Sequence, residues 1–541
     1  MKVRKFARRP EHSAVRIAAR WLAAFAIIFI ILVLPDRLDD MDWPAFARLP
    51  LELPVIVLAL VAFTGRLRGL LRGIVVAVLS LMLIFKLANI AAYFGFARPF
   101  NPLVDALMVP TVLDTLSKGA GMAAAVGAVV AIVAVIALCI GVFVWATRVI
   151  AFGVPRIAQL PVASFAFAAA LLGFLPPLRT TATWDASLFM RDQAVAMSQS
   201  VEDAARFRAQ LLEDPFRDLP AEGRLAGLKG NDVLLIFVES YGRSSLDNPA
   251  YAPLLRGTLK KFDAALTEMG FNARSAWLTS PTFGGESYLA HSTSMSGLWV
   301  DNQQRYVQLL RSARGTLISD FNTAGWRTVT VMPEITMAWP EVDYFKFTQV
   351  YTAPNLGYKG QPFDYVTMSD QYALSAFQAH ELAPDHAPVM AVIGLVSSHI
   401  PWAPLPKLVP WEDVGDGSIF TTARTPEAAN EIWRDAKRVA EYYALSIDYS
   451  LQTLMSFVTT YGRENMLIII VGDHQPMTFI AGENASHDVP VHIIARDPAL
   501  LAAFEQGAWT AGMEPGASSP TWPMDALRAR ILGAYSQQPQ Q

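Results

Sequence analysis

Residues 123–146, AAAVGAVVAIVAVIALCIGVFVWA, present apolar side chains on every face of any helix they form. Such a segment needs lipid around it, or the inside of a membrane bundle, because a water-facing side has no place on it. Four further stretches are of the same kind, so the sequence predicts five N-terminal transmembrane helices at about 17–35, 49–65, 71–95, 122–146 and 158–176. The second is the weakest, with a short apolar core that holds Pro54. Hydrophobic residues make up 53% of the chain and charged residues 17%, and the apolar excess lies almost wholly in 1–176. The expected organisation is a transmembrane domain over 1–176, a linker over 177–230, a globular domain over 231–500 and a short tail over 501–541 that ends in QQPQQ and frays.

Lys and Arg set the expected orientation. Lys2, Arg4, Lys5, Arg8, Arg9 and Arg16 precede the first span, Arg66, Arg68 and Arg72 fall between the second and third, and Arg148 and Arg156 between the fourth and fifth. These belong in the cytoplasm, whereas the acidic DRLDDMDW (36–43) belongs outside. An odd number of crossings then puts everything after 176 outside a bacterial plasma (inner) membrane, with the first span a retained anchor. Residues 100–118 are amphipathic and suit either the lipid interface or a plain loop. The linker opens at LPPLRTTA and continues as a polar helical stretch over 190–213. A net charge of −3 argues against a nucleic-acid partner. The sole cysteine, Cys139, allows neither a disulfide nor a thiolate metal site within one chain.

In the second half, apolar runs of strand length alternate with helical stretches, which predicts an α/β domain with a mostly parallel central sheet. Three runs end in residues that bind metals or move protons. DVLLIFVES (232–240) ends at Glu239, VMAVIGLVSSH (389–399) at His399, and NMLIIIVGDHQP (465–476) carries Asp473 and His474. Strand ends of one sheet edge form the ligand crevice of open α/β folds, so these groups should meet there. Beside them stands the hydroxyl-bearing turn PTFGGES (281–287). Two carboxylates, one imidazole and a hydroxyl oxygen such as that of Thr282 make a four-ligand site for one divalent cation, which would activate the hydroxyl as a nucleophile. Mn²⁺ or Zn²⁺ suits the ligands, with Mg²⁺ a further option. With an alkoxide the site keeps one net negative charge, so a cation is expected to meet the substrate, and Arg243 and Arg305 are the candidates. Ser280 and Ser287 are hydroxyls that residue type alone does not separate from Thr282. His291 reads as a satisfied core histidine, His487 as either substrate-facing or plain surface, and Asp448 as a helix-packing residue.

Together these motifs resemble the alkaline phosphatase–sulfatase superfamily, and within it the membrane-anchored lipoteichoic acid synthase and phosphoglycerol or phosphoethanolamine transferase group. The resemblance implies an alkaline phosphatase-like domain behind five spans. It implies that Glu239, Asp473 and His474 bind the metal, that Thr282 is both nucleophile and ligand, and that His399, in SSHIPW, faces the substrate. The glycerol-phosphate clamp of lipoteichoic acid synthases pairs a Trp with an Arg two residues on. Trp339 matches the first, but Glu341 stands at the second, with Lys346 nearby. The Cys/Ser-x-Pro-x-Arg motif of sulfatases is not met at Ser280-Pro281. The implied reaction moves a headgroup from a membrane phospholipid donor, through Thr282, to a lipid or glycan acceptor. The competing readings are a phosphodiesterase or phosphatase with water as acceptor, and a non-catalytic anchored binding protein.

Overall fold

The computed structural model describes residues 11–110, 112–113, 117, 121–172, 182–337, 339, 341–505 and 508–537. It divides into two compact units, Met1–Phe94 with Arg98–Glu202, and Gly95–Ala97 with Asp203–Gln541. The basic residues from Lys2 to Arg9, most of the linker opening at LPPLRTTA, the last four residues and much of the stretch 111–120 lie outside the described residues.

In the first unit, three helices are long and apolar enough to cross a membrane among the described residues: Val15–Val33, Gly65–Phe96 and Met122–Gly153. The expected count of five is corrected accordingly. The second and fifth predicted spans are the shorter apolar helices Glu52–Val61 and Ile157–Leu171. Ten residues in Glu52–Val61 rise about 15 Å, half of a hydrocarbon core of about 30 Å. The chain turns and opens the next helix at Gly65, whose φ of +59° suits glycine. The later helix carries Pro161 in its interior. Ala24, Ile28, Leu60, Met82, Phe143 and Ile150 pack the unit's centre, whereas Val130, Ile132 and Leu138 are exposed, as lipid-facing side chains would be. The ammonium of Lys86 caps the end of the first helix by donating to the carbonyls of Ile31, Leu32 and Leu34. The predicted polar helix over 190–213 is found as Asp185–Leu212.

The second unit is built on a nine-stranded sheet. Its strands are β1 (Asp232–Val238), β2 (Asn272–Thr279), β3 (Arg327–Met332), β4 (Gln349–Thr352), β5 (Val389–Leu395), β6 (Met466–Gly472), β7 (Asp488–Ala495), β8 (Thr510–Ala511) and β9 (Thr521–Pro523). The order is β8-β2-β7-β6-β1-β5-β3-β4, with β9 also on β2. From β6 to β4 every pairing is parallel. On the other flank β7 runs antiparallel to both β6 and β2, and β8 antiparallel to β2. The sheet is therefore mixed, which corrects the expectation of a mostly parallel one. A parallel return needs a crossover, usually a long helix. Between β6 and β7 the chain offers only the four-residue helix Thr478–Ala481, so it comes back antiparallel.

Strands β1, β5 and β6 are buried along their whole length. Alternate residues of β1 feed two cores. Leu234, Ile236 and Val238 pack with Leu255, Phe262, Ile447 and Leu451 on one face. Val233, Leu235 and Phe237 pack with Phe321, Leu527 and Ile531 on the other. Helices thus cover both faces. The tail expected to fray instead closes the sheet's edge through β8 and β9, and its helix Ala526–Tyr535 enters the second core. The buried guanidinium of Arg528 anchors it, donating to Asp320 at 2.9 Å and to Asp214 at 3.1 Å. Because the helix is core, Ile531→Ala is expected to lower the stability of the unit by about 3 kcal/mol in denaturant unfolding. A change under about 0.5 kcal/mol, the size of an ordinary surface effect, would mean that the helix is peripheral.

Candidate active site

The register of the three buried strands brings the site together. Val238 pairs with Leu395 on one side and with Gly472 on the other, so Glu239 and Asp473 leave their strands at the same level. The backbone continues the ladder there, with Glu239 N donating to Leu395 O and Asp473 N to Val238 O. Room for the turn comes from Gly472, where a Cβ would lie 2.0 Å from the carbonyl oxygen of Tyr241. Ser240 takes a φ of +57°, a strained conformation for serine, held by Tyr443, whose hydroxyl donates to Ser240 O at 3.0 Å.

Glu239, Asp473 and His474 are buried, and each offers a ligand atom within 4.8 Å of the others. Asp473 Oδ1 accepts from the backbone of Ser240 at 2.8 Å and of His474 at 2.7 Å. His474 Nδ1 donates to Gln475 O at 2.7 Å, which leaves Nε2 facing the carboxylates, 3.4 Å from Glu239 Oε1 and 3.6 Å from Asp473 Oδ2. Burial opposes charge on all three. Against it, the Asp473 and Glu239 carboxylates push His474 up to about 10, and the resulting imidazolium holds Glu239 well below the usual carboxylate range. Burial and then the charge of Glu239 drive Asp473 well above it. Two buried carboxylates and an imidazole aimed at one point fit a divalent cation, which would take over the compensation that protons otherwise supply.

The hydroxyl brought onto this cluster is that of Ser287. Its Oγ lies 2.9 Å from Glu239 Oε2 and 3.1 Å from His474 Nε2. Ser287 is the first residue of the helix Ser287–Ser296, entered through Glu286 in the left-handed region at φ +63°. The hydroxyl therefore sits at the positive end of that helix. Thr282, expected at this place, instead ties off the preceding turn. Its Oγ1 donates to Gly285 O at 2.5 Å and its backbone N to Ser280 Oγ at 3.3 Å. Ser280 Oγ donates to Asp473 O. The sequence signal was present in the Gly-Gly-Glu-Ser run that opens a helix, but the side of the turn on which the hydroxyl falls depends on three successive positive-φ steps at Gly284, Gly285 and Glu286.

The loop after β5 brings His399 up to the cluster, and a charge on His399 is among those that lower Glu239. Asp370 Oδ1 pins the loop by accepting from Val396 N and Ser397 N, each at 2.8 Å, while Ser398 Oγ donates to Glu239 O at 2.6 Å. His399 Nδ1 donates to Ile400 O. His487 lies beside the turn of Thr282, its Nδ1 3.3 Å from Ser280 O and its ring 5.3 Å from that of Phe283. Burial lowers its pKa.

Neither expected phosphate-binding arginine is free. Arg243 donates to Asp247 at 2.8 Å and Asp488 at 3.1 Å and stacks on Trp277. Arg305 grips Asp203 through two bonds. Trp339 packs half-buried against Phe345 in the second core, and Lys346 is exposed. His291, one turn after Ser287, stacks on Phe237 at 4.1 Å. Burial lowers it to about 4, so it is neutral, and its Nε2 is shut off from solvent without a hydrogen-bond partner rather than satisfied. Asp448 bonds Thr258 and Gln452, as a helix-packing residue should. One acid near the site escaped sequence reasoning. Glu334, just past β3, lies over Gly394 of β5. The protein packed around its carboxyl, and the charge of Glu239, hold it up at about 7 although the side chain still reaches solvent.

No family model matches the chain. No curated protein matches it either. Among solved structures it is similar to the integral membrane protein lipooligosaccharide phosphoethanolamine transferase A from Neisseria meningitidis, at 12% identity over 95% of each chain with a TM-score of 0.45. It is similar to the lipoteichoic acid synthase LtaP from Listeria monocytogenes, at 11% identity over 61% of this chain and 78% of that one, with a TM-score of 0.38. The phosphoglycerol transferase GacH from Streptococcus pyogenes gives 11% identity over 62% and 80%, also with a TM-score of 0.38. At these levels the assignment of function rests on the site itself.

The full-length protein is expected to hold one divalent ion per chain by elemental analysis after dialysis. Asp473→Asn, with unchanged circular dichroism, is expected to weaken that binding by about tenfold or more, since even residues that only support a ligand alter affinity 10–100-fold. Unaltered affinity in this variant would rule out the cluster as the binding site.

Proposed function

We propose that the chain is a metal-dependent phosphotransferase that takes the headgroup of a membrane phospholipid onto Ser287 and passes it to a hydroxyl of a lipid or glycan acceptor outside the cytoplasm. The observation that carries this reading is the contact of the Ser287 hydroxyl with both Glu239 and His474 at the head of a helix. A divalent cation held by Glu239, Asp473 and His474, of which Mn²⁺ and Zn²⁺ suit the donors best and Mg²⁺ less, would lower the pKa of that hydroxyl and offset phosphate charge. Glu239 Oε2 accepts the hydrogen bond of the Ser287 hydroxyl and aims its oxygen. Ser287 Oγ, its proton passing to Glu239 Oε2, attacks the phosphorus, and the P–O bond to diacylglycerol breaks as that oxygen takes a proton from His399. An acceptor hydroxyl then gives its proton to His399 as it attacks the phosphoserine ester, and the departing Ser287 oxygen recovers its proton from Glu239. Most of the rate comes from positioning and charge compensation, since the phosphoryl group asks little else of its surroundings. Thr282 and Ser280 shape the turn, and His487 lines it.

The basic N-terminus is assigned to the cytoplasm and the second unit to the far side of a bacterial plasma membrane, reached by an odd number of crossings. An anchored enzyme meets a lipid donor at the surface where that lipid lies.

The test is to incubate the full-length protein with a total phospholipid extract and to weigh the peptide that holds residues 275–305. An adduct is expected on Ser287, absent from Ser287→Ala and retained in Thr282→Ala, with diacylglycerol release in Ser287→Ala down by about 10³-fold or more. An adduct on Thr282 would overturn the choice of nucleophile. Steady release of free phospho-headgroup without transfer would make water the acceptor.

A further inference from the structure

The electrostatics of the crevice contain one group that a purely anionic substrate does not explain. In the sheet register Val331 of β3 pairs with Ile393 of β5, and Ile393 pairs with Ile236 of β1. Glu334 and Glu239 each follow three residues after a member of that row, so the two acids leave neighbouring strand ends at one level, with β5 between them. Two strand spacings separate their backbones by about 10 Å, and the Glu334 carboxyl lies over Gly394 within that gap. Gly394 of β5 faces this carboxyl, since a Cβ there would lie in ordinary contact with Glu334 Oε2 at 3.7 Å, while crowding Met332 Sδ at 3.0 Å. Among the described residues no ion pair reaches Glu334, and Arg243, the arginine that follows Glu239 in the chain, is committed to Asp247 and Asp488. A phosphoryl site that already holds Glu239 and Asp473 gains nothing from a third acid if the headgroup brings only the negative charge of its phosphate. An acid becomes favourable when the headgroup carries its own positive charge on the side away from phosphorus.

Building on the headgroup-transfer reading, we propose that Glu334 is a specificity-determining residue that binds the ammonium of an amine-bearing donor headgroup, so that the donor is a phosphoethanolamine-type lipid rather than a phosphoglycerol-type one. The carboxylate sits at the edge of the crevice, open to solvent, where a primary ammonium with three donors can reach it without its own desolvation being complete.

The test uses the full-length protein in mixed micelles that contain either phosphatidylethanolamine or phosphatidylglycerol as sole donor. Diacylglycerol release is followed for kcat and KM, and the mass added to the 275–305 peptide identifies the headgroup. Wild type is expected to become loaded with phosphoethanolamine. Glu334→Gln is expected to lower the ratio of kcat/KM for the ethanolamine lipid over the glycerol lipid by about tenfold or more, mostly through KM, as loss of one partner of a charge pair does. Glu334→Asp should recover part of that ratio, which a merely structural defect would not do. Equal bound-metal content across the three proteins checks that the site is intact. An unchanged ratio in Glu334→Gln, or wild type loaded from the glycerol lipid in preference, would overturn the role of Glu334 while leaving headgroup transfer standing. No adduct and no release from either lipid would overturn headgroup transfer, and this inference with it.

Discussion

Two carboxylates, Glu239 and Asp473, are buried at adjacent strand ends with their oxygens within 4.8 Å of each other and of His474. Like charges that close, removed from water, are strongly unfavourable unless something positive joins them. Much of the second unit can be read as the means of tolerating that arrangement. Three strands without one exposed residue set the level of the two acids. Backbone N–H groups of Ser240 and His474 point at Asp473. His474 is fixed in one tautomer by Gln475. The free energy that holds the cluster comes from the two cores beneath it, where each fully buried Leu or Ile contributes about 1.5–3 kcal/mol. The cluster itself is a liability until a cation enters it.

The strain of the site is borne by residues that take no part in the chemistry proposed for it. Ser240 accepts a left-handed backbone so that the chain can turn away as soon as Glu239 is placed, and Tyr443, from the long helix Ala436–Tyr461, holds its carbonyl. Asp370 accepts two backbone donors of the His399 loop with one oxygen and Ser450 with the other. Although burial raises Asp370, both of its carboxylate oxygens are matched. His492 is a further case. It is buried in the sheet, lowered to about 3 by burial, and bonded to Ser275 and Tyr241, a neutral packing group with no line to the cluster. The contrast between it and His474 shows that charge partners, and not burial, separate an ionisable site from a structural histidine.

What the sequence made legible follows from which information is local. Strands that end in acid or histidine announce themselves by apolar runs of β-branched residues, and parallel register then carries Glu239, Asp473 and His474 to one point with no further input. Two features depended on geometry that residue type does not encode. The mixed flank of the sheet arises because the chain between β6 and β7 has no helix long enough for a crossover. That the hydroxyl of Ser287, and not that of Thr282, meets the carboxylates has a more local cause. SPTFGGES offers three hydroxyls within eight residues, at Ser280, Thr282 and Ser287, and the left-handed steps that end at Glu286 swing the chain so that the last of them starts a helix over the carboxylates, whereas Thr282 closes on Gly285. The span count failed for a similar reason, since hydropathy alone does not register that the helix Glu52–Val61 stops short of Gly65, where the next begins, and that Pro161 lies inside another.

Charge also bears on which substrates such a crevice admits. Arg243 and Arg305 were natural choices for meeting phosphate when only their sequence positions were known. In the fold each is already neutralised by carboxylates, so neither adds net positive potential to the site. Among the described residues the positive contributions left are the helix end under Ser287 and whatever cation the cluster binds, while Glu334 subtracts from them on the far side of β5. A site so arranged is polarised, positive toward the phosphorus and negative toward the headgroup's outer end, and a zwitterionic headgroup has that same polarity. The selectivity inferred for Glu334 therefore does not require a tight pocket. A dipole matched to a dipole discriminates against an uncharged polyol by leaving one acid without its partner, which is the penalty that most sharply separates a correct ligand from a near relative.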